Sequence, residues 1–351
     1  MPDPVATKMG YDVTLVTSDG QETTLRCEAG TTVLDAAEQS GKVLKSSCQS
    51  GGCGACSAVL TGGRVEMGDH DPAVVEVPEE RGGILLCRSY PRGDCRIELP
   101  YESTKIVTAP PSRHEAEITV LEQVAEGVMH VELTLRDGSS ANFESGRFVR
   151  VMVPGTAARR AYSPANVANW DGRLEFYIRL LPGGMMSEYL ANRAALGDLL
   201  TVTSPDGEFG LVENGLRPRW FIAGGTGLSP LLSMLRRMGE WGDPQSARLF
   251  LGVTRPSEVF AQEEISALTD ILPDFAAETV VWQPDSDWAG ATGNPVDLAA
   301  AEIAVLAGES GELPDVYVCG PPPMIDAAHV ALTAAGVPSD QIHTERFSAV
   351  T

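Results

Sequence analysis

Between Ser46 and Cys56 the chain reads SSCQSGGCGAC, three cysteines in one short loop whose other residues are small or polar. Such a loop has almost nothing of its own to bury, so its order must come from what the sulfurs hold. Gly51, Gly52 and Gly54 reach backbone angles closed to other residues, and they let the chain wrap tightly with its N–H groups turned inward. This is what an anionic inorganic core requires. A zinc site usually pairs C-x2-C with a second such pair or with histidines. Neither is present, and the five histidines are isolated.

Composition narrows the setting. A chain of 351 residues has room for two or three domains. A net charge of -22 argues against gripping a phosphate backbone, so nucleic acid is not an expected partner. No apolar run is long enough to span a bilayer, and the opening MPDPVATKMGYD has no apolar core of a signal peptide. These features lead us to expect a cytoplasmic protein with no membrane partner, a monomer on its own. Seven cysteines is an odd number, and a reducing compartment disfavours disulfides.

Cys48, Cys53 and Cys56 stand as C-x4-C-x2-C, and Cys87 follows at a distance in GGILLCRSY, which is the plant-type [2Fe-2S] spacing. Cys87 is expected as the fourth ligand because it ends an apolar run able to approach a cluster from behind. Cys95, in RGDCRIEL, reads as part of an edge strand, and Cys27 as a core or surface thiol. Residues 1–100 resemble a plant-type ferredoxin, with a hairpin in YDVTLVTSDGQETTLRC and a short helix in TVLDAAEQSG before the loop. A connector over residues 101–113, with two prolines, is expected to let this domain face first a flavin and then a partner.

Residues 114–213 carry short alternating strands between turn residues, including EITVLEQV, MHVELTLR, RFVRVMV, RLEFYIRL and DLLTVTSP, the pattern of a small antiparallel barrel. Within them RRAYSPAN matches the R-x-Y-S motif of the ferredoxin-NAD(P) reductase superfamily. The resemblance implies FAD, with Arg160 on its pyrophosphate, Tyr162 stacked on the isoalloxazine, and Ser163 hydrogen-bonded near the reactive nitrogen. It also places Ala161 and Tyr177 at the cofactor. In PGGMMSEYL, Gly184, Met185, Met186 and Ser187 open a helix whose free N–H groups suit the same pyrophosphate.

Over residues 214–351 strands alternate with helices, as in a doubly wound parallel sheet. The first strand runs into GGTGLSP, where Gly224, Gly225, Thr226 and Gly227 resemble the nicotinamide-binding loop of the same superfamily. YVCGPPPM resembles its second nucleotide motif, which puts Cys319 beside the nicotinamide and Gly320 and Pro321 in the binding loop. Phe347, near the end of the chain, stands where the superfamily places an aromatic ring over the flavin, with Glu345 nearby. In GVTRPSEVF, Glu258 is expected to accept from a ribose 2'-OH and to repel a 2'-phosphate, favouring NADH, although Arg255 in the same loop points the other way.

The expected fold is multidomain: an α+β β-grasp ferredoxin, an antiparallel β-barrel flavin domain and an α/β doubly wound nicotinamide-binding domain. That order resembles the reductase components of bacterial multicomponent oxygenases, of the soluble methane and propane monooxygenase or benzoate dioxygenase type. The resemblance implies electron transfer from NADH through FAD and the [2Fe-2S] cluster to an oxygenase hydroxylase. Ser163, Cys319, Glu345 and Phe347 would lie at the reacting atoms. Two readings stay beside it: a donor of this architecture serving a sugar-deoxygenating dehydratase or aromatic-ring dioxygenase, and a non-enzymatic scaffold whose cysteine loop binds zinc.

Overall fold

The computed structural model describes residues 10–47, 49, 51–108, 113–156, 158–213 and 215–347. Two compact units divide the chain at residue 112/113.

In the first unit, β1 (Gly10–Val16) and β2 (Glu22–Glu28) form an antiparallel hairpin. Their alternation sends Val13, Leu15 and Leu25 into the core. Helix α1 (Val33–Gln39) starts where the Thr32 hydroxyl accepts from the Asp35 amide at 3.1 Å, an N-cap that satisfies one of the free donors of the first turn. The remaining strands are β3 (Ser57–Gly62), β4 (Val65–Met67), β5 (Gly83–Leu85), β6 (Ser89–Pro91) and β7 (Cys95–Glu98). The main sheet runs β2-β1-β7-β3-β5, and β4 pairs with β6 apart from it. So β7, expected at an edge, lies in the middle, parallel to β1 and antiparallel to β3, and Cys95 is buried opposite Val13.

The expected connector is shorter than its sequence suggests. The Ser18 amide donates to Tyr101, Ser103 donates through its amide and hydroxyl to Asp19, and Val107 pairs with Val43. Residues 101–108 therefore belong to the first unit; positions 109–112 lie outside the described residues.

The second unit opens with the barrel strands β8 (Arg113–Ala125), β9 (Val128–Leu135), β10 (Val149–Met152), β11 (Arg159–Tyr162) and β12 (Arg173–Arg179). Helix α2 (Met185–Asn192) and strand β13 (Leu199–Thr203) complete it. The sheet order is β11-β10-β13-β8-β9-β12, antiparallel throughout. Val131, Leu133, Val151, Phe176 and Val202 fill its inside.

The rest alternates: β14 (Arg219–Gly224), α3 (Leu228–Trp241), β15 (Ala247–Val253), α4 (Gln262–Ile271), β16 (Phe275–Val281), β17 (Ala291–Thr292), α5 (Pro295–Ser310), β18 (Asp315–Gly320), α6 (Pro322–Ala334) and β19 (Ile342–Arg346). The sheet is parallel, in the order β17-β16-β15-β14-β18-β19. The chain thus reverses its direction of travel between β14 and β18, and ligands of such sheets bind at that switch point, beyond the carboxyl ends of the strands. Buried on both faces, β14 and β18 read as nearly continuous apolar runs.

Candidate functional site

Three places in the fold gather the residues singled out by sequence. In the cysteine loop, Gly51 and Gly54 adopt φ values of 86° and 77°, and even Gln49 sits in the left-handed region at 53°. A side chain at Gly51 would strike His70 and Arg88, and one at Gly54 would strike the Val74 carbonyl, so the loop is wrapped as tightly as its glycines permit. Cys87, in the turn Leu86–Arg88, brings its sulfur to 3.3 Å from that of Cys56. Tetrahedral metals with sulfur ligands about 2.3 Å away hold two of them a little under 4 Å apart, so this pair suits one metal atom. Cys53 is half-buried nearby in sequence, and Cys48 lies outside the described residues. Among the described residues no third donor completes a metal site.

Two buried donors beside the cysteines lack acceptors: the Nε of Arg88 and the hydroxyl of Tyr101. Burial raises the Tyr101 phenol to about 12, the neighbouring Lys45 amide opposing and the Cys56 charge adding to it. Orphaned buried donors are unusual unless a negative group belongs among them, as a thiolate-ligated cluster would. The residues present fit a [2Fe-2S] cluster. Away from this pair, burial pushes the Cys27 and Cys95 thiols up to about 11, and the Cys27 sulfur donates to the Thr31 carbonyl at 3.3 Å.

On β11, Arg160 and Tyr162 are two residues apart and so share one face, with Ala161 on the other. Arg160 donates to the Arg159 carbonyl and meets no carboxylate among the described residues, which leaves its charge for an anion. The half-buried Tyr162 ring meets the edge of Phe176 at 6.2 Å and 60°. Burial raises its phenol pKa despite Arg160, so the ring stays neutral. Ser163 is buried. At α2, Gly184 is the N-cap with no side-chain cap, and the Ser187 hydroxyl accepts from the Leu181 amide. The first amides, of Met185 and Met186, remain for a ligand. These features fit the pyrophosphate and ring of FAD.

Tyr177 is elsewhere. His130 stacks on one side of its ring at 5.0 Å, Phe260 approaches at 5.0 Å, and its hydroxyl donates to Glu264 at 3.0 Å. Expected at the cofactor, it is instead a pillar between barrel and nucleotide domain, with no free face for a flavin. Glu258 also has another task. It is 6% exposed, and its two oxygens take a bidentate fork from Arg179 of β12 at 3.1 and 3.2 Å. Burial raises its carboxyl, but Arg179 and the Thr254 amide outweigh this and hold it below the ordinary carboxylate range. A carboxylate so engaged is not offered to a ribose.

The nucleotide residues converge at the ends of β14, β18 and β19. A Cβ on Gly224 would strike Met324 and Pro321, and one on Gly227 would strike the Cys319 carbonyl. These glycines therefore let the two loops meet each other, whereas Gly225, with φ 54° and open space around its missing side chain, leaves room for a ligand. Thr226 follows Gly225 in the same turn, and the buried Ser229 hydroxyl just beyond it has no partner. Cys319 pairs with Glu345 across the parallel strands, and the Phe347 amide donates to Gly320 at 2.8 Å, so Cys319, Gly320, Pro321, Glu345 and Phe347 form one corner. Cys319 is fully buried; burial first, and then the Glu345 charge, push its thiol well above the usual range. It is a neutral group there, not a thiolate.

A second network joins barrel to nucleotide domain. Glu175 of β12, 4% exposed, receives Arg236 of α3 at 2.8 Å and lies 3.6 Å from His130. Burial raises its carboxyl, yet His130 and Arg236 outweigh burial and hold it at about 2. The Glu175 carboxylate, 3.6 Å away, raises His130 in turn, against burial. Ser233 donates to the Asn166 carbonyl alongside. Sequence reasoning missed these residues, because partners 61 positions apart leave no local pattern.

Comparison with known proteins agrees with this layout. A 2Fe-2S iron-sulfur cluster binding domain model matches residues 16–92, an oxidoreductase FAD-binding domain model residues 115–210, and an oxidoreductase NAD-binding domain model residues 221–330. Methane monooxygenase component C of Methylosinus trichosporium is 37% identical over 301 residues, 84% of this chain and 87% of the relative. The chain belongs to the family of flavin and iron-sulfur reductase components of oxygenases. The toluate 1,2-dioxygenase electron transfer component of Pseudomonas putida is 31% identical, over 97% of this chain and 99% of its own. Among solved structures, the Amycolatopsis cytochrome P450 reductase GcoB superposes with a TM-score of 0.76 at 27% identity, covering 95% of this chain and 98% of that one. The chain is accordingly an NADH oxidoreductase with FAD and a [2Fe-2S] cluster, built for electron transfer to an oxygenase. No helix among the described residues is long and apolar enough to cross a membrane.

Proposed function

We propose that this member of the family serves the hydroxylase of a multicomponent monooxygenase acting on a small hydrocarbon, as a cytoplasmic protein that is monomeric on its own. The observation that carries the reading is the 37% identity to a methane monooxygenase component over most of both chains. In this reading residues 1–100 are the ferredoxin domain, 114–213 the flavin domain and 214–351 the nicotinamide domain, with the connector confined to the end of the expected 101–113 segment. When bound, FAD accepts a hydride and gives up its electrons singly, and the [2Fe-2S] cluster carries them one at a time.

The chain's residues position and insulate. Cys48, Cys53, Cys56 and Cys87 hold the cluster. Arg160 and the amides at the start of α2 bind the FAD pyrophosphate, as a fixed cation and a helix N-terminus suit two phosphates. Tyr162 stacks on the isoalloxazine and Ser163 donates near its reactive nitrogen. Gly225 and Thr226 admit the NADH phosphates, while Cys319, Glu345 and Phe347 shape the nicotinamide end and exclude water. The Arg179–Glu258 and Arg236–Glu175 pairs keep the two ligand-binding domains in register, which a hydride transfer between their ligands demands.

An aromatic-ring dioxygenase as acceptor is the second reading, favoured by the 31% identity to a toluate dioxygenase component across 97% of the chain. One experiment tests the exit route shared by both. A fragment of residues 114–351 is expected to oxidise NADH with ferricyanide and to fail to support turnover of the cognate hydroxylase. A fragment that drives the hydroxylase as well as the full chain overturns the proposal that electrons leave through the ferredoxin domain. Turnover with purified monooxygenase and dioxygenase components then decides between acceptors.

A further inference from the structure

The geometry points to Arg88 as a fixed cation that raises the reduction potential of the cluster, an inference that rests on the [2Fe-2S] reading and goes beyond it. Arg88 directly follows Cys87 and ends the same turn. Its backbone carbonyl accepts from the Gly68 amide at 2.8 Å. Its side chain lies along the cysteine loop: a Cβ built on Gly51 would be 2.9 Å from the Arg88 Cγ, and one built on Gly68 would be 3.3 Å from Nη2 and 3.4 Å from Nε. The arginine therefore runs from the loop glycine to Gly68: a side chain at Gly51 would strike it, and one at Gly68 would crowd its guanidinium and the Tyr90 ring.

The opposite wall of this slot is already satisfied. His70, whose Cβ also touches the Gly51 position, places Nδ1 at 2.7 Å from the Gly68 carbonyl and Nε2 at 3.1 Å from Glu79. Arg88 has no such arrangement. Its Nε is buried without an acceptor, and among the described residues no carboxylate pairs with it. A buried donor left unmade costs about 1–3 kcal/mol, and more when it belongs to a charged group. Chains retain such a group where an anion belongs. The loop that Arg88 lies on holds thiolate ligands, and a cluster on them carries negative charge that increases by one on reduction. A neighbouring cation stabilises the reduced form more than the oxidised form, and net charge and hydrogen bonding near the sulfurs are what set such potentials. Arg88 takes no part in bond making; it shifts the balance so that electrons settle on the cluster instead of returning to the flavin.

The test is a redox titration of the full-length holoprotein, following cluster absorbance and its electron paramagnetic resonance signal, on wild type, R88K, R88Q and R88M. Iron and sulfide analysis and the wild-type electron paramagnetic resonance signal establish the cluster independently of the flavin, so a wild type that lacks them refutes the iron-sulfur reading, not the role of Arg88. R88Q and R88M are expected to shift the one-electron equilibrium toward the oxidised cluster at least tenfold, which is 59 mV for a one-electron couple. R88K, which keeps the charge, should shift it by less than R88Q, and flavin content should be unchanged in all. A potential in R88Q within threefold of wild type in equilibrium constant overturns the inference. Loss of the cluster from both R88Q and R88M overturns it too, since Arg88 would then be a brace for the loop.

Discussion

Replacing Glu175 with glutamine keeps the side-chain shape and removes the charge that Arg236 and His130 share. Glu175 drops from an ordinary 4.5 to about 2 in the folded chain, and about 2.5 units at 1.36 kcal/mol each give roughly 3 kcal/mol of stability at neutral pH. Breaking a buried pair from one side costs a similar amount, about 3–5 kcal/mol, with the lower end apt here because Arg236 is partly exposed. The sign is that of a depressed carboxylate: its stabilisation is fully present above pH 4.5 and is lost as pH falls through about 2. By the same linkage, less than half of it, about 1.4 kcal/mol, should remain at pH 3. His130 works in the opposite sense. Its raised pKa stabilises the fold below 6.5 and that contribution fades as pH rises through the folded value, so wild type should soften slightly as pH rises past 6.5 and E175Q should soften less. Urea unfolding of the FAD-loaded fragment 113–351 at pH 7 and at pH 3 reads the Glu175 effect, and a further series at about pH 9 reads that of His130. At roughly 2–4 °C per kcal/mol for a unit of this size, the thermal transition should fall by about 6–12 °C at pH 7. A gap under 1 kcal/mol at pH 7, or one of equal size at both pH values, would refute the claim that Glu175 is held ionised in the interface.

Cys87→Ser is expected to abolish the visible cluster absorbance while Cys27→Ser and Cys95→Ser keep it, with flavin retained in all three; a Cys95→Ser protein without cluster absorbance would reverse the ligand assignment. Arg160→Ala should weaken FAD binding about tenfold or more, read by flavin fluorescence on dilution, because it removes the charge expected at the pyrophosphate. Glu258→Gln should destabilise the domain interface by about 1–3 kcal/mol yet leave the ratio of kcat/KM for NADH and NADPH within twofold of wild type; a large shift of that ratio would restore Glu258 to the ribose.

What was legible in the sequence was local. Cys56 and Cys87 follow a spacing, β1 and β2 a two-residue alternation, and α1 a capping residue at Thr32, and each is carried by a short stretch of chain. Arg160 and Tyr162 stood out through a four-residue motif, and strand β11 then puts them on one face. The misplaced features all depend on the third dimension. The RGDCRIEL segment reads as an edge strand because charges alternate along it, yet β7 is central, its exposed Arg96 and Glu98 standing on the uncovered face of the sheet. Tyr177 and Glu258 have the right chemistry for a cofactor, but the domain docked against them supplies Glu264, Phe260 and Arg179 first. The connector looked long because nothing in its sequence announces that Ser103 bonds back to Asp19.

The fate of Glu258 also bears on how such a chain chooses its nucleotide. An acid at the end of the second strand of a doubly wound sheet discriminates against a 2'-phosphate only if its charge faces the ribose. Here that charge is neutralised by a fork from Arg179, while Arg255, three positions earlier, is exposed. The acid has been recruited to hold the barrel against the nucleotide domain, where a rigid two-point contact fixes the distance between flavin and nicotinamide sites better than a single hydrogen bond could. Discrimination at this loop then falls to the shape of the loop itself and to what the exposed Arg255 meets. A chain in which one carboxylate served both purposes would couple nucleotide choice to domain alignment; separating them leaves the alignment intact whichever nucleotide enters.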